Sequence, residues 1–226
     1  TAAEKDRSHV DAIVRLGEMH ESKGDMDAAA DAYRRALETK PTALVPKLRL
    51  AELELTRGNV ARSRALLDEV LEASGPPELL EDAGRRALDL AEADGELDRA
   101  LALAVRRCTQ HPESAEPRNF LLDALDRLTP ADVQTWIDDG SKADTTTPEQ
   151  RRQALRAPLL TSLQRGAITS RLRAAEQLGR LQLPGSALPL ATVGKNLAAP
   201  RDATPTVQNA YEQARISALR AAGGLQ

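Results

Sequence analysis

The residues best equipped for chemistry are few: His9, His20, His111 and one cysteine, Cys108. His9 and His20 fall on one face of a single helical pattern. Eleven residues at 1.5 Å rise set them roughly 16 Å apart, too far to share a metal ion. His111 precedes Pro112 in a turn. Cys108 follows Ala104 by four residues and Ala100 by eight, which places it on a face due for burial, where a thiol packs as a small hydrophobe. A lone cysteine also excludes an internal disulfide framework. Gly194-Lys195 is followed by asparagine and lacks the preceding glycine of a phosphate loop. No G-x-S-x-G, H-E-x-x-H or C-x-x-C is present. Paired carboxylates such as Asp138-Asp139 fall at turns and face solvent. No catalytic residue, metal site or cofactor is expected, and the chain reads as non-enzymatic.

The elements around these residues repeat. In residues 13–41 two amphipathic helical patterns face each other across the turn Gly24-Asp25. The order is Ile13, Leu16-Gly17, His20, Gly24, Ala29, Tyr33, Ala36 and Pro41. This resembles the tetratricopeptide repeat, a helix–turn–helix unit with the spacing W-x2-L-G-x2-Y, then A-x3-F, then P. Ile13 and His20 replace the tryptophan and the tyrosine, and packing between the two helices is the role expected of His20. After 34 residues the unit recurs, with Leu50-Ala51, Gly58-Asn59, Ser63, Leu67 and Val70 in the equivalent places. A third copy follows at an offset of 37, with Ala87-Leu88, Gly95-Glu96, Ala100, Ala104 and Pro112; the turn Gly75-Pro76-Pro77 absorbs the extra length. A fourth begins at Leu121-Leu122 and Leu125. It continues in a short helix from Thr129-Pro130 through Trp136 to Gly140, an atypical end in which Trp136 covers the last apolar face and its indole N–H needs an acceptor.

Helix boundaries are legible in the same way. Ser8 with Asp11 is a near capping box and predicts a first helix from there to about Lys23. Gly24 can take the left-handed conformation that ends it, and Asp25 can cap the next helix. Thr147-Pro148 with Gln150 predicts another start, and Pro158 is expected to kink or split that helix near Arg156-Ala157. Residues 171–197 resemble a HEAT-like repeat. A first helix carries Arg173-Ala174-Ala175 and Leu178-Gly179, a Pro-Gly turn follows, and a second helix runs through Leu188, Leu190 and Leu197. From Thr206 to Ala222, Ala214-Arg215, Ala218-Leu219 and Ala222-Gly223 resemble the opening helix of another such repeat. Without a partner helix its Ala/Leu face is expected to be bare and to favour self-association or lability.

Aligning the copies brings out one charged column. Arg15, Arg49 and Arg86 stand just before the Leu-Gly-like pairs, and Glu18, Glu52 and Asp89 follow three residues later. The resemblance implies that this side of each first helix lines a concave groove. It implies no Lys/Asn carboxylate clamp, because Val14 and Glu18 occupy the expected first-repeat places. The plain reading is three i,i+3 ion pairs contributing about 0.2 to 0.5 kcal/mol each. The functional reading makes all six residues a partner-binding site.

Leucine and alanine dominate, the aromatics are only Tyr33, Phe120, Trp136 and Tyr211, and no long alternating Val/Ile run occurs. The expected fold is therefore all-α, a right-handed superhelical α-solenoid of stacked helix pairs. It has a tetratricopeptide-like array over 8–140, a polar linker over 141–148 and HEAT-like helices over 149–226. Residues 1–148 hold 30 acidic and 20 basic side chains, and residues 149–226 hold 4 and 11. Such asymmetry makes nucleic-acid binding by the basic half a second reading, although one aromatic there provides no stacking platform. The plainer alternative is that these arginines face solvent or the acidic half. A regulatory segment of a larger enzyme is a third reading. No stretch reaches the roughly 18 apolar residues of a membrane span; cytoplasm is the default location, with periplasm the alternative. The expected role is a scaffold or adaptor for a protein or peptide partner of acidic or mixed charge.

Overall fold

The computed structural model describes residues 2–140, 146–196, 198–199 and 204–224. Among them are twelve helices and no strand: α1 (Ala2–Ser22), α2 (Met26–Thr39), α3 (Leu44–Thr56), α4 (Val60–Glu72), α5 (Pro77–Asp94), α6 (Leu97–Gln110), α7 (Ala115–Arg127), α8 (Pro130–Asp139), α9 (Pro148–Arg165), α10 (Ile168–Leu181), α11 (Ala187–Asn196) and α12 (Pro205–Gly224). The protein is an all-α helical repeat. Its contacts form two compact units, residues 1–90 and 91–226, with α5 crossing the border. The expected boundary at 141–148 lies inside the second unit. Residues 141–145 of that linker and Leu197 lie outside the described residues, as do the side chains of Ser8 and Ala214.

The first unit shows why a 34-residue period folds as it does. Gly24 and Gly58 take φ of +78° and +79°, and Gly95, in the second unit, takes +69°. Each glycine closes the same pair of hydrogen bonds. Gly24, Gly58 and Gly95 donate to the carbonyls of Glu21, Leu55 and Glu92. The following Asp25, Asn59 and Glu96 donate to His20, Glu54 and Ala91. This is the Schellman arrangement, in which a left-handed residue lets the chain satisfy the last carbonyls of one helix before starting the next. Asp25 also caps α2 through the Ala28 amide, at 3.2 Å. The N-terminal expectation needs correction: α1 starts at Ala2, so Ser8 lies inside it. The Ala- and charge-rich residues before Ser8 are good helix formers and nothing there stops the turn.

Side-chain volumes in the copies trade off between the paired helices. Gly17 and Ala51 grow along the first helices, while Tyr33 and Leu67 shrink at the facing positions. All four are buried. In the first copy the fit is tight: a Cβ on Gly17 would lie 2.5 Å from Cε1 of Tyr33. Gly17→Ala should therefore overpack the α1–α2 contact and destabilise by about 1 to 3 kcal/mol, checked by thermal unfolding. Gly17→Ala combined with Tyr33→Leu, the second copy's pairing, should recover part of the loss.

In the second unit, α8 starts at Thr129-Pro130 as expected, with a capping box of Thr129 and Asp132 that was not foreseen, and α9 begins with the expected box, Thr147 with Gln150. Trp136 is buried between Val133 and Ile137. Its indole N–H finds no acceptor among the described residues, contrary to expectation. Buried Arg151 closes the end of α8 by donating to the carbonyls of Ile137 (2.7 Å) and Asp138 (3.0 Å). The expected split at Pro158 does not occur, since α9 runs from Pro148 to Arg165 with the proline inside. The buried side chains of Leu155, Leu159, Ser162 and Leu163 hold the helix across the missing amide bond. α12 also differs from expectation. Its Ala218 and Ala222 are buried, and it packs along both α10 and α11. A Cβ on Gly179 would meet Ala221 at 2.5 Å and one on Gly194 would meet Leu219 at 2.7 Å, so these glycines admit α12 at close range. The Ala218–Ala222 face of α12 is thus covered within the chain, while Leu219 stays 36% exposed.

Candidate functional site

The charged column sits on α1, α3 and α5 within the first unit. Arg15 and Glu18 are exposed on α1, and among the described residues they form no ion pair with each other. On α3 the expected i,i+3 pair is formed, Arg49 Nη1 to Glu52 Oε2 at 3.2 Å. On α5 it is not. Arg86 turns away from Asp89 and pairs with Asp82 at 3.0 Å and with Glu52, on α3, at 2.8 Å. The reason is directional: side chains on a helix lean toward its N-terminus, and an acid four residues before a base is the favoured order. Glu52 thus holds the arginines of two successive copies.

The surroundings tune these charges. Burial works to lower the Arg49 guanidinium, but Glu52, with its hydrogen bond, and Glu21 outweigh it and hold Arg49 above its ordinary value. Burial and the Glu21 carboxylate raise the Tyr33 phenol well above its usual range. Burial likewise works to raise Asp82, but hydrogen bonds from Arg86 and Arg85 hold it below the usual carboxylate range. Val45 and Leu55, each 42% exposed, lie on α3 four residues before Arg49 and three after Glu52. Helical spacing puts them on the face of the Arg49–Glu52 pair, so α3 offers an apolar contact at either end of a charged centre.

Residues 20–80 match the tetratricopeptide repeat family. The match spans α2, α3 and α4 and includes Arg49 and Glu52, whereas Arg15, Glu18, Arg86 and Asp89 lie outside it. No curated protein matches the chain. Tetratricopeptide repeats are generally protein–protein interaction motifs and typically non-catalytic.

Within the tetratricopeptide segment the structure adds a residue that sequence reasoning missed. Glu54 on α3 is only 2% exposed. It accepts from Arg34 on α2 (3.1 Å) and Asn59 in the turn (2.7 Å), with Arg62 of α4 at 3.7 Å. Its signal was positional: it stands 34 residues after His20, where the repeat has a tyrosine. Burial works to raise Glu54, but Asn59, Arg34 and Arg62 outweigh it and hold the carboxyl below its usual range. A depressed folded pKa means stability that is present above the unfolded value and is lost as pH falls through the folded one. Thermal stability should therefore drop as pH is lowered below about 4.5. Glu54→Gln should flatten that dependence, as followed by melting temperature against pH.

His20 is partly buried, with Nδ1 3.8 Å from Asp25. Cys108 is buried, which pushes its thiol up to about 12 and leaves it inert near neutrality. No group of three or more metal-ligating side chains occurs among the described residues, and no described helix is long and apolar enough to cross a membrane.

The described C-terminal arginines other than Arg220 have partners inside the second unit. Arg173 pairs with Asp123 and Asp126 of α7 at 2.6 and 2.7 Å. Arg180 donates to the carbonyls of Leu125 and Leu128. Arg152 pairs with Asp138 at 3.5 Å, and Arg165 lies at the same distance from Glu113. Arg156 and Arg171 donate to the carbonyls of Pro184 and Gly166, and Arg215 pairs with Glu212. Arg152, Arg165 and Arg173 thus dock on acids of residues 113–138, while Arg156, Arg171 and Arg215 are held within the basic stretch itself.

Proposed function

We propose that this chain is a non-catalytic scaffold or adaptor that binds a protein partner along the first-helix column Arg15, Glu18, Arg49, Glu52, Arg86 and Asp89. The observation that carries the reading is Glu52, which ties the arginines of successive copies into one charged strip between the exposed Val45 and Leu55. The acids already on the strip compete with a plain anion. A partner segment of mixed charge can exchange with both signs while adding apolar contact. Such contacts are partly exposed, so binding is salt-sensitive and micromolar. The HEAT-like reading of 149–226 and a cytoplasmic setting belong to the same proposal.

Nucleic-acid binding by the basic half is the weaker reading, because its arginines are already engaged by Asp123, Asp126, Asp138 and helix carbonyls. Changing Arg15, Arg49 and Arg86 together to alanine should abolish partner capture. It should cost the fold little, about 1 kcal/mol per exposed pair at most. Capture at wild-type strength by the triple variant, in a salt-matched pull-down, would move the binding surface elsewhere.

A further inference from the structure

One first-helix face in this chain already has a helix lodged on it. Leu122 follows Leu88 by 34 residues, and the same step carries Gly95 to Thr129, where α7 gives way to α8. α7 is therefore the first helix of the fourth copy. In that register Asp123 stands where Glu18, Glu52 and Asp89 stand, and Asp126 stands where Glu21 stands. Phe120 replaces the arginine and is buried, so this copy has no guanidinium of its own in the column.

α10 supplies it. Arg173 binds Asp123 and Asp126, and Gln177 donates to the second Asp126 oxygen at 2.6 Å. Arg180 donates to the Leu125 and Leu128 carbonyls at 2.6 and 3.0 Å, and the Ser170 hydroxyl meets Asn119 at 3.3 Å. Residues 170, 173, 177 and 180 form one stripe of the helix. The two arginines, seven residues and thus about 10 Å apart along the axis, span from the carboxylates to the C-terminal end of α7. Both features select a cation, since the carboxylates match a guanidinium fork and the helix end carries partial negative charge.

We propose that this face of α7 is a binding site for an arginine-bearing helix, that α10 fills it as a built-in competitor, and that a partner helix with the same stripe displaces it. The contact is suited to exchange. Its ion pairs are partly open to solvent and weakened by salt. α10, α11 and α12 pack closely on one another through Gly179–Ala221 and Gly194–Leu219, so displacing α10 carries them with it and also parts its packing on α9 and α8. The inference rests on the first-helix column being the partner-binding face.

The test uses the full chain and a labelled peptide of residues 168–181, followed by fluorescence anisotropy. An opened variant, Arg173→Ala with Arg180→Ala, should bind the peptide at least about tenfold more tightly than wild type. Adding Asp123→Asn and Asp126→Asn should remove the gain, and a peptide lacking both arginines should not bind. Equal binding by opened and wild-type chains, or by the Asp123/Asp126 variant, would overturn the proposal. Hydrogen exchange on the unmutated chain guards against an opened variant that fails to fold. Excess peptide should speed exchange in α10 and not in α7, and unchanged exchange in α10 would equally overturn it. Loss of capture by the Arg15, Arg49 and Arg86 variant with no peptide effect here would overturn this inference alone. The reverse result would overturn the column reading alone.

Discussion

Replacing Glu116 by alanine should destabilise the second unit by about 3 to 5 kcal/mol. Glu116 on α7 and Arg107 on α6 are 4% and 1% exposed, with Arg107 Nη2 2.6 Å from Glu116 Oε2. Arg107 Nε and Nη1 and Glu116 Oε1 find no hydrogen-bond partner among the described residues. Removing the carboxylate therefore strands a buried guanidinium with little else to neutralise it. Replacing both partners by apolar residues of similar volume, Arg107→Met with Glu116→Leu, should restore most of the loss, because the desolvation cost leaves with the charges. Urea unfolding followed by Trp136 emission reports on the same unit. A single-variant loss below about 1 kcal/mol would show that the pair is not buried as described.

Trp136→Ala should cost a similar amount, about 3 to 5 kcal/mol, through the cavity left between α8 and its neighbours. Trp136 is 4% exposed and is the only tryptophan, so native emission should be blue-shifted and should move to that of exposed indole on unfolding. Because the indole N–H has no acceptor among the described residues, Trp136→Phe should lose packing volume alone and be much milder than Trp136→Ala. A solvent-like native spectrum would rule out the buried placement.

These two sites also show where sequence reading stops. Turns were legible because Gly24, Gly58 and Gly95 must adopt a conformation that few other residues tolerate. The capping box at Thr147 was legible because its partner Gln150 lies three residues away, whereas the same device at Thr129 with Asp132 was passed over. The face of the charged column was legible from helical spacing, but Arg86 chose Glu52 and Asp82 over Asp89, and the contact with Glu52 lies across helices with no signal along the chain. Buried charges were the least visible. Glu54, Arg107, Glu116 and Arg151 look like surface residues in sequence, since charged side chains are rarely buried unless paired, and their partners come from other helices or turns. The covered face of α12 was missed for a related reason: Gly179 and Gly194 open the space for it, and a glycine's packing partner leaves no pattern of its own.

The first helices of the repeats are proposed to hold the partner. Hydrogen–deuterium exchange of the intact chain with and without the captured partner locates the footprint directly. Slowed exchange is predicted on α1, α3 and α5 around Arg15–Glu18, Arg49–Glu52 and Arg86–Asp89. The second helices α2 and α4 should be unaffected. Protection confined to α2 and α4, or to α11 and α12, would contradict the account.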